Sequence, residues 1–329
     1  MQELDKNIEN MYGITVKNLL SYKDGYHVFA SSGRYFARKV SLRPERLMFV
    51  HGAKEHLAGA GLTNTDRYII TTEGIPYFEM DGAIYTLSAA VEGRECDFDE
   101  RADLKESAIL LANMHNKSKG YNPPENARVQ DELGKLPHVL SKRLDELRKL
   151  KKIAAKGKSV FDAIFLANVD RFLRTGEEAT QMFSGPEYVR LSEETVNDKS
   201  FCHHDYTYSN IIFAQPGISA INFEYCCREL KVYDIANFIR RKMRKCNWSV
   251  EEARFMIEMY QSAGNLGKDD FCILGIMLRF PQKFWRTSNR YYNSRRSLLD
   301  RNLLAKLKES IEEAKPHESF IKSYHRIFL

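Results

Sequence analysis

The segment "FCHHDYTYSNIIFAQPGISAINFEYCCRELKVYDIANF", residues 201–238, decides the reading of this chain. It interrupts a mostly helical pattern with two short apolar runs, "IIFA" and "SAINF", set around Gln215, Pro216 and Gly217. Such runs read as two strands joined by a turn. Just before them stand His203, Asp205 and Asn210, spaced H-x-D-x-x-x-x-N. The spacing has a mechanical reason: phosphoryl transfer needs a carboxylate to orient or deprotonate the acceptor hydroxyl, and an amide oxygen one loop-turn away to hold magnesium. Further on, Asp234 in "VYDIANF" opens a helix, where an aspartate can accept backbone N–H bonds and hold a loop in shape.

The rest of the chain bounds this reading. Its 329 residues point to two domains. With 43% hydrophobic and 29% charged residues, collagen-like, low-complexity and wholly disordered chains are excluded. The longest apolar runs, Ala108 to Ala112 and Ile211 to Ala214, are far too short to span a bilayer. The start, "MQELDKNIEN", lacks the apolar stretch of a signal peptide. Fifty Lys and Arg against 44 acids give +6, compatible with phosphate-bearing ligands without demanding nucleic acid. The six cysteines form no CxxC pair, which implies reduced thiols and synthesis in a cytosol-like compartment.

The chain's character changes near residue 90. Before it, "GYHVFAS", "SGRYFARKV", "RYIITT", "IPYFEM" and "AIYTLSA" read as strands broken by Gly33, Gly74-Ile75-Pro76 and Asp81-Gly82. "RPERLMFVHGAKEHLAGAG" between the second and third reads as a helix, opened by Pro44 and stopped at Gly59 to Gly61. After residue 90 helices dominate. One carries Leu104, Ala108, Leu111 and His115 on a single face, and a basic one has Leu144, Leu147 and Leu150 as its spine. The expected division is residues 1–90 and 91–329, in an α+β fold.

Asp205 and Asn210 repeat the five-residue step of the kinase catalytic loop. With the strand–turn–strand and "YDIA", the chain resembles the aminoglycoside-phosphotransferase-like (choline-kinase-like) branch of the kinase superfamily. More closely, it resembles the CotS family of bacterial spore coat proteins. That likeness includes "SLRPERLMFVHGAKEHL", "EGIPYFEMDGAIYTLSAAVEGREC", "LANMHNKSKGY" and "FPQKFWRTSNRYYNSRRS". The resemblance implies a bilobal protein-kinase-like fold, with a small antiparallel-sheet lobe carrying one helix and a larger, mainly helical lobe. It implies ATP and magnesium as cofactors, a hydroxylated small molecule or protein as acceptor, other coat proteins as partners, and the spore coat as the location.

Carried over residue by residue, Asp205 matches the catalytic base, with His203 as a loop residue whose imidazole bonds backbone. Asn210 matches a metal ligand and Asp234 the structural aspartate of the following helix. Ser88, Ala89, Ala90 and Val91 match the hinge that meets adenine. "FARK" admits two registers for the strand cation that contacts the phosphates. Lys39, the preferred one, places Ala37 on the same face, where a small side chain lets adenine lie flat. Arg38 agrees with the family register but departs from lysine. Glu55, sixteen residues beyond Lys39, is the helical partner of that cation. Asp24-Gly25 is the one candidate for a phosphate loop.

The family's metal-binding aspartate falls on Asn222, which brings no charge. A full charge near a cation contributes about 4 kcal/mol at ~4 Å in an effective dielectric of about 20. Its loss from the transition state corresponds to roughly three powers of ten in rate. Glu224, two residues on and on the same face if the strand continues, could substitute. The same chain therefore also supports a catalytically impaired pseudokinase that serves coat assembly.

Rival readings of single motifs are weaker. Cys202, His203, His204 and Asp205 cannot all converge on zinc, because adjacent strand side chains face opposite ways. Cys226 and Cys227 read as buried thiols, His115 as a packing residue, and residues 141–158 as a solvated basic face. Between Arg279 and Arg301, aromatics alternate with Arg286, Arg290, Arg295 and Arg296. That mixture can bind single-stranded nucleic acid, but packing aromatics with arginines along the acceptor side of a cleft is the preferred account.

Overall fold

A computed structural model describes residues 2–215, 217–294 and 300–329. Pro216, Arg295 and Arg296 lie outside these residues. The chain forms two compact units, each discontinuous in sequence. The first comprises the chain up to Asp131, Asp198–Glu229 and Ser262–Gly264; the second comprises Glu132–Asn197, Leu230–Gln261 and Asn265–Leu329.

In the first unit, helix α1 (Gln2–Tyr12) precedes strands β1 (Val16–Tyr22), β2 (Gly25–Ala30) and β3 (Gly33–Val40). Helix α2 (Pro44–Gly59) separates them from β4 (Phe78–Met80) and β5 (Ala83–Ala89). All pairings are antiparallel, in the order β1-β2-β3-β5-β4. Leu4, Ile8 and Tyr12 recur every four residues along α1 and pack on Leu19, Val28, Ala37, Phe78 and Leu87 of the sheet. Burying an aliphatic side chain of this kind contributes about 1.5–3 kcal/mol. Because strand side chains alternate, Phe36, Arg38, Thr86 and Ser88 take the opposite face. The ladder pairs Phe36 with Ser88, Ala37 with Leu87 and Arg38 with Thr86. A second sheet joins β6 (Arg94–Glu95), β7 (Ile211–Ala214) and β8 (Gly217–Ala220), and α3 (Arg101–Lys117) packs beside β8.

Two elements of this unit were not anticipated, and one expectation fails. Only Leu19 of β1 is buried, so the edge strand shows no apolar alternation. Helix α1 has acids in its first turn and buries three widely spaced apolar residues. "RYIITT" is not a strand: Tyr68 makes one isolated bridge to Ser88, and the Thr71 N–H then donates to the Ile75 carbonyl (2.9 Å). A turn through Gly74, at φ +81°, closes there.

Helix α2 begins at Pro44, where the missing N–H costs nothing. It is buried on several sides, by Leu47, Phe49, Val50, Ala53 and Leu57. Lys54 on this helix is wholly buried. Its Nζ lies 2.9 Å from Asp66 Oδ1, donates to the Asp66 carbonyl (2.8 Å), and rests 3.7 Å from the centre of the Tyr68 ring.

The second unit, among the described residues, is helical: α4 (Leu136–Ala154), α5 (Val160–Gln181), α6 (Glu187–Asp198), α7 (Lys231–Met243), α8 (Val250–Gln261), α9 (Lys268–Arg279), α10 (Gln282–Asn293), α11 (Asp300–Glu312) and α12 (Ala314–Phe328). Leu144, Leu147 and Leu150 bury the inner face of α4. Its outer basic residues meet α5, Arg148 pairing with Glu177 and Lys151 with Asp170. The aromatics of α10 serve this packing. Phe284 stacks on Phe172 (3.9 Å between ring centres) and Tyr291 on Phe161 (3.7 Å), while Trp285 donates to Glu146 (2.8 Å).

Removing one partner of a buried ion pair strands the other, at a cost of about 3–5 kcal/mol. Asp66 is one-fifth exposed, so Lys54→Met is expected at the low end, about 3 kcal/mol by urea denaturation. A loss below 1 kcal/mol would show that this lysine does not anchor the helix.

Candidate functional site

The loop ahead of β7 is held from both ends. Cys202 and Cys227 exchange backbone hydrogen bonds of 2.9 and 3.1 Å. His203 is fully buried. Its Nδ1 accepts the Asp205 N–H (3.3 Å), which leaves Nε2–H to donate to the Ile221 carbonyl (2.9 Å). His204 follows at φ +67°. Positive φ is uncommon outside glycine, though histidine, like Asn and Asp, adopts it more often than other residues do.

From Asp205 a run of polar contacts leads to the sheet. The Asn210 amide donates from Nδ2 to the Asp205 carbonyl and to its Oδ2, both at 2.9 Å. Asn210 Oδ1 therefore faces away from Asp205 and accepts the Asn222 side-chain amide (3.3 Å). Asn222 adopts φ +70°, a conformation Asn and Asp tolerate better than other side chains. Its N–H donates to Asp66 Oδ2 (3.0 Å), and its Oδ1 accepts from Arg38 (2.5 Å). Arg38 also binds Asp24, and it approaches Glu224 at 3.1 Å. Burial works against the Arg38 charge, but Glu224 and Asp24 outweigh it and hold the guanidinium above its usual pKa.

Glu224 arrives by a different route from the one expected. β8 ends at Ala220, the chain turns left-handed at Asn222, and a 3-10 turn over Phe223–Tyr225 brings the carboxylate back. Strand alternation plays no part. Helix α2 braces this turn, Arg46 donating to the Glu224 (3.1 Å) and Cys226 carbonyls.

Arg38, Asn210, Asn222 and Glu224 line a cavity of about 660 Å³, together with Ser88, Ala89, Ala90 and Val91. Asp205 stands behind Asn210, one hydrogen bond away. Of the two strand registers, the structure turns Arg38 to the cavity. Lys39 is exposed and belongs to the opposite face, with Ala37, whose side chain packs in the core under α1. Phe36 occupies the cavity-facing position two residues before the cation. Its ring requires the neighbouring glycine, since a Cβ on Gly25 would lie 2.6 Å from both the ring and the Ala37 carbonyl oxygen. Glu55 pairs with Arg67 (2.9 Å) and with neither strand cation. Consecutive helix residues point about 100° apart, and it is Lys54 that faces inward. Asp234 is buried in the first turn of α7, in the second unit.

Lys54 and Asp66 were missed as members of this site. Asp24 entered only with Gly25 as a candidate phosphate loop, and Asp66 stands just before the segment read as a strand. The oxygens of Asn210, Asn222 and Glu224 are hard donors that share the lining of one cavity, and Glu224 is the one among them able to carry a full charge. That suits a magnesium ion that takes its remaining ligands from phosphate and water.

The fold matches a crystal structure of an aminoglycoside phosphotransferase from Alicyclobacillus acidocaldarius, with TM-score 0.86 and 20% identity over 98% of this chain and 95% of that one. It also matches the AMP-bound complex of spectinomycin phosphotransferase APH(9)-Ia, with TM-score 0.67 and 16% identity over 100% and 99% of the two chains. Among sequence relatives, spore coat protein S of Bacillus subtilis is 26% identical over 288 residues, 85% of this chain and 80% of that protein. Endospore coat-associated protein YutH of the same organism is 23% identical over 297 residues, 88% and 84% of the two. The family described as "Spore coat putative kinase YutH" matches residues 5–324. The chain belongs to this YutH/CotS family of kinase-like spore coat proteins.

Proposed function

We propose that the chain binds ATP with magnesium in the cavity of its first unit and transfers the terminal phosphoryl group to a hydroxyl, of a small molecule or a coat protein, at the spore coat. The run Asp205–Asn210–Asn222–Arg38 along that cavity is the observation that carries this reading. The AMP held by a phosphotransferase of the same fold supports it.

In this reading Asp205 accepts the proton of the acceptor hydroxyl as its oxygen bonds to the γ-phosphorus and the bond to ADP breaks. Arg38 contacts the phosphates. Ser88 to Val91 meet the base; the N–H groups of Ala89 and Ala90 already donate to the Arg67 (3.3 Å) and Arg34 (3.1 Å) carbonyls, so Val91 provides the hinge donor. Asn210, Asn222 and Glu224 hold magnesium, which when bound neutralises phosphate charge. His203 shapes the loop without touching the substrate.

A second reading has its own support. Asn222 lacks the charge of an aspartate, and Arg38 occupies its carbonyl oxygen and faces Glu224. A coat assembly protein that has lost turnover would keep those contacts.

Turnover separates the two readings. Positioned general bases contribute roughly 10²–10⁴-fold, so Asp205→Ala is expected to reduce native ATP-dependent transfer at least about a hundredfold. Asn222→Asp, tolerated at φ +70°, is expected to raise it. Activity that appears only in Asn222→Asp would favour the assembly reading.

Glu224 yields a pH test. Burial pushes its carboxyl above the ordinary value of 4.5, against the pull of Arg38 and Lys54. Above that value the unfolded chain has released the proton while the folded chain still holds it, so stability falls as pH rises. Native protein should lose stability relative to Glu224→Gln from pH 4.5 upward, measured by denaturation across pH 4–7. Parallel curves would mean that the carboxylate is not strained by its site.

A further inference from the structure

The second unit holds an arginine cluster that the nucleotide reading does not use. Arg240 and Arg244 stand one turn apart at the end of α7. On α10, Lys283, Arg286, Thr287 and Arg290 follow the i, i+3, i+4, i+7 spacing of one helix face. Arg244 and that face of α10 line a cavity of about 660 Å³, closed on its far side by Lys306 and three glutamates of α11 and the residue after it.

The glutamates do not balance these cations. Glu309 and Glu313 pair with Lys283, at 3.0 and 2.5 Å. One lysine cancels only one of those two charges, so the wall as a whole sets five cations against three carboxylates and keeps a surplus of two positive charges. Among the described residues, no carboxylate comes within 4 Å of Arg244, Arg286 or Arg290. Behind the wall, Arg240 is 8% exposed; it donates to Asn237 Oδ1 (2.9 Å) and to the Met277 carbonyl (2.5 Å), and its Nε has no hydrogen-bond partner among the described residues. Arg244 Nε is likewise buried without a partner. Burial first, and then Arg244, Arg286 and Arg143, disfavour the Arg240 charge. Leaving a buried donor unsatisfied costs about 1–3 kcal/mol, more for a charged group. A fold that gathers repelling guanidinium groups around a cavity in this way is built to receive an anion.

We infer that this cavity binds a small organic phosphate, gripped by Arg244 and Arg286 with Arg240 as a fixed charge behind them. Guanidinium forks match phosphate and carboxylate oxygens two at a time. Several unmatched positive charges favour a ligand near −2, as a phosphate monoester is at neutral pH, over a monocarboxylate. The volume exceeds that of a bare ion and falls within the range of small-molecule sites. The aromatics of the same helix are packed inside the unit, so this face offers no stacking platform for single-stranded nucleic acid.

The test is melting and calorimetric titration of the full chain with inorganic phosphate and glycerol 3-phosphate at constant ionic strength, with acetate as the monoanion. Both phosphate probes should raise the melting temperature, and acetate should not. Arg286→Gln, at an exposed position, and Arg244→Gln should each weaken phosphate binding at least tenfold. Without phosphate, Arg286→Gln should leave the melting temperature unchanged or higher, because it removes a like charge. Arg38→Ala should bind the probes as the native chain does, which separates this cavity from the nucleotide site. Four results would each overturn the inference: no response to phosphate, an equal response to acetate, loss of binding in Arg38→Ala but not in Arg286→Gln, or tighter binding of a single-stranded oligonucleotide than of either probe.

Discussion

A guanidinium cannot remain in a half-enclosed cavity unless opposite charge or good acceptors surround it. Arg38 meets that constraint with Asp24 from the β1–β2 turn, Glu224 from the 3-10 turn and the amide oxygen of Asn222. The strands of residues 16–40 and the turn at residues 222–224, far apart in sequence, are thereby drawn to one point. The remaining geometry follows. Asn222 is oriented by Arg38 on one side and Asn210 on the other, and Asn210 in turn fixes the Asp205 carboxylate. Lys54 and Asp66 brace the arrangement from beneath, since Asp66 accepts the Asn222 N–H while pairing with the buried lysine.

The same constraint gives Asn222 a physical meaning. An aspartate there would place three carboxylates around one arginine, and self-repulsion would need a divalent ion to relieve it. With asparagine, the cluster of Arg38, Asp24 and Glu224 carries one net negative charge in place of two. Such a site needs less relief from a cation to hold its shape. If the cavity takes a nucleotide, binding and fast transfer are thus separable.

Much of this was legible in the chain. His203, Asp205 and Asn210 are close in sequence, and local spacing dictated their meeting. The helix of Pro44 to Gly59 and the leucine spine of α4 showed through capping and periodicity. What escaped depended on tertiary register. "FARK" offers two cations one residue apart, and only the pairing of β3 with β5, plus the packing of α1 on the Ala37 face, decides which one turns to the cavity. Glu55 and Lys54 differ by one helical step, which no spacing rule resolves without knowing what surrounds α2. Helix α1 and strand β1 expose most of their residues, so neither carried a strong pattern. The arginines of α10 were read as the lining of an acceptor cleft, and what the structure shows is that two of them wall a cavity within the second unit.

The central claim is that Arg38, within this polar run, makes the first unit a nucleotide site, and ligand-linked melting tests it most directly. Binding to the native state must raise its melting temperature in proportion to ligand excess over Kd. Magnesium-ADP at millimolar concentration is predicted to stabilise the native chain and Lys39→Ala alike, and to leave Arg38→Ala unmoved. Absence of any shift in the native chain, or a shift abolished by Lys39→Ala and kept in Arg38→Ala, would contradict the account.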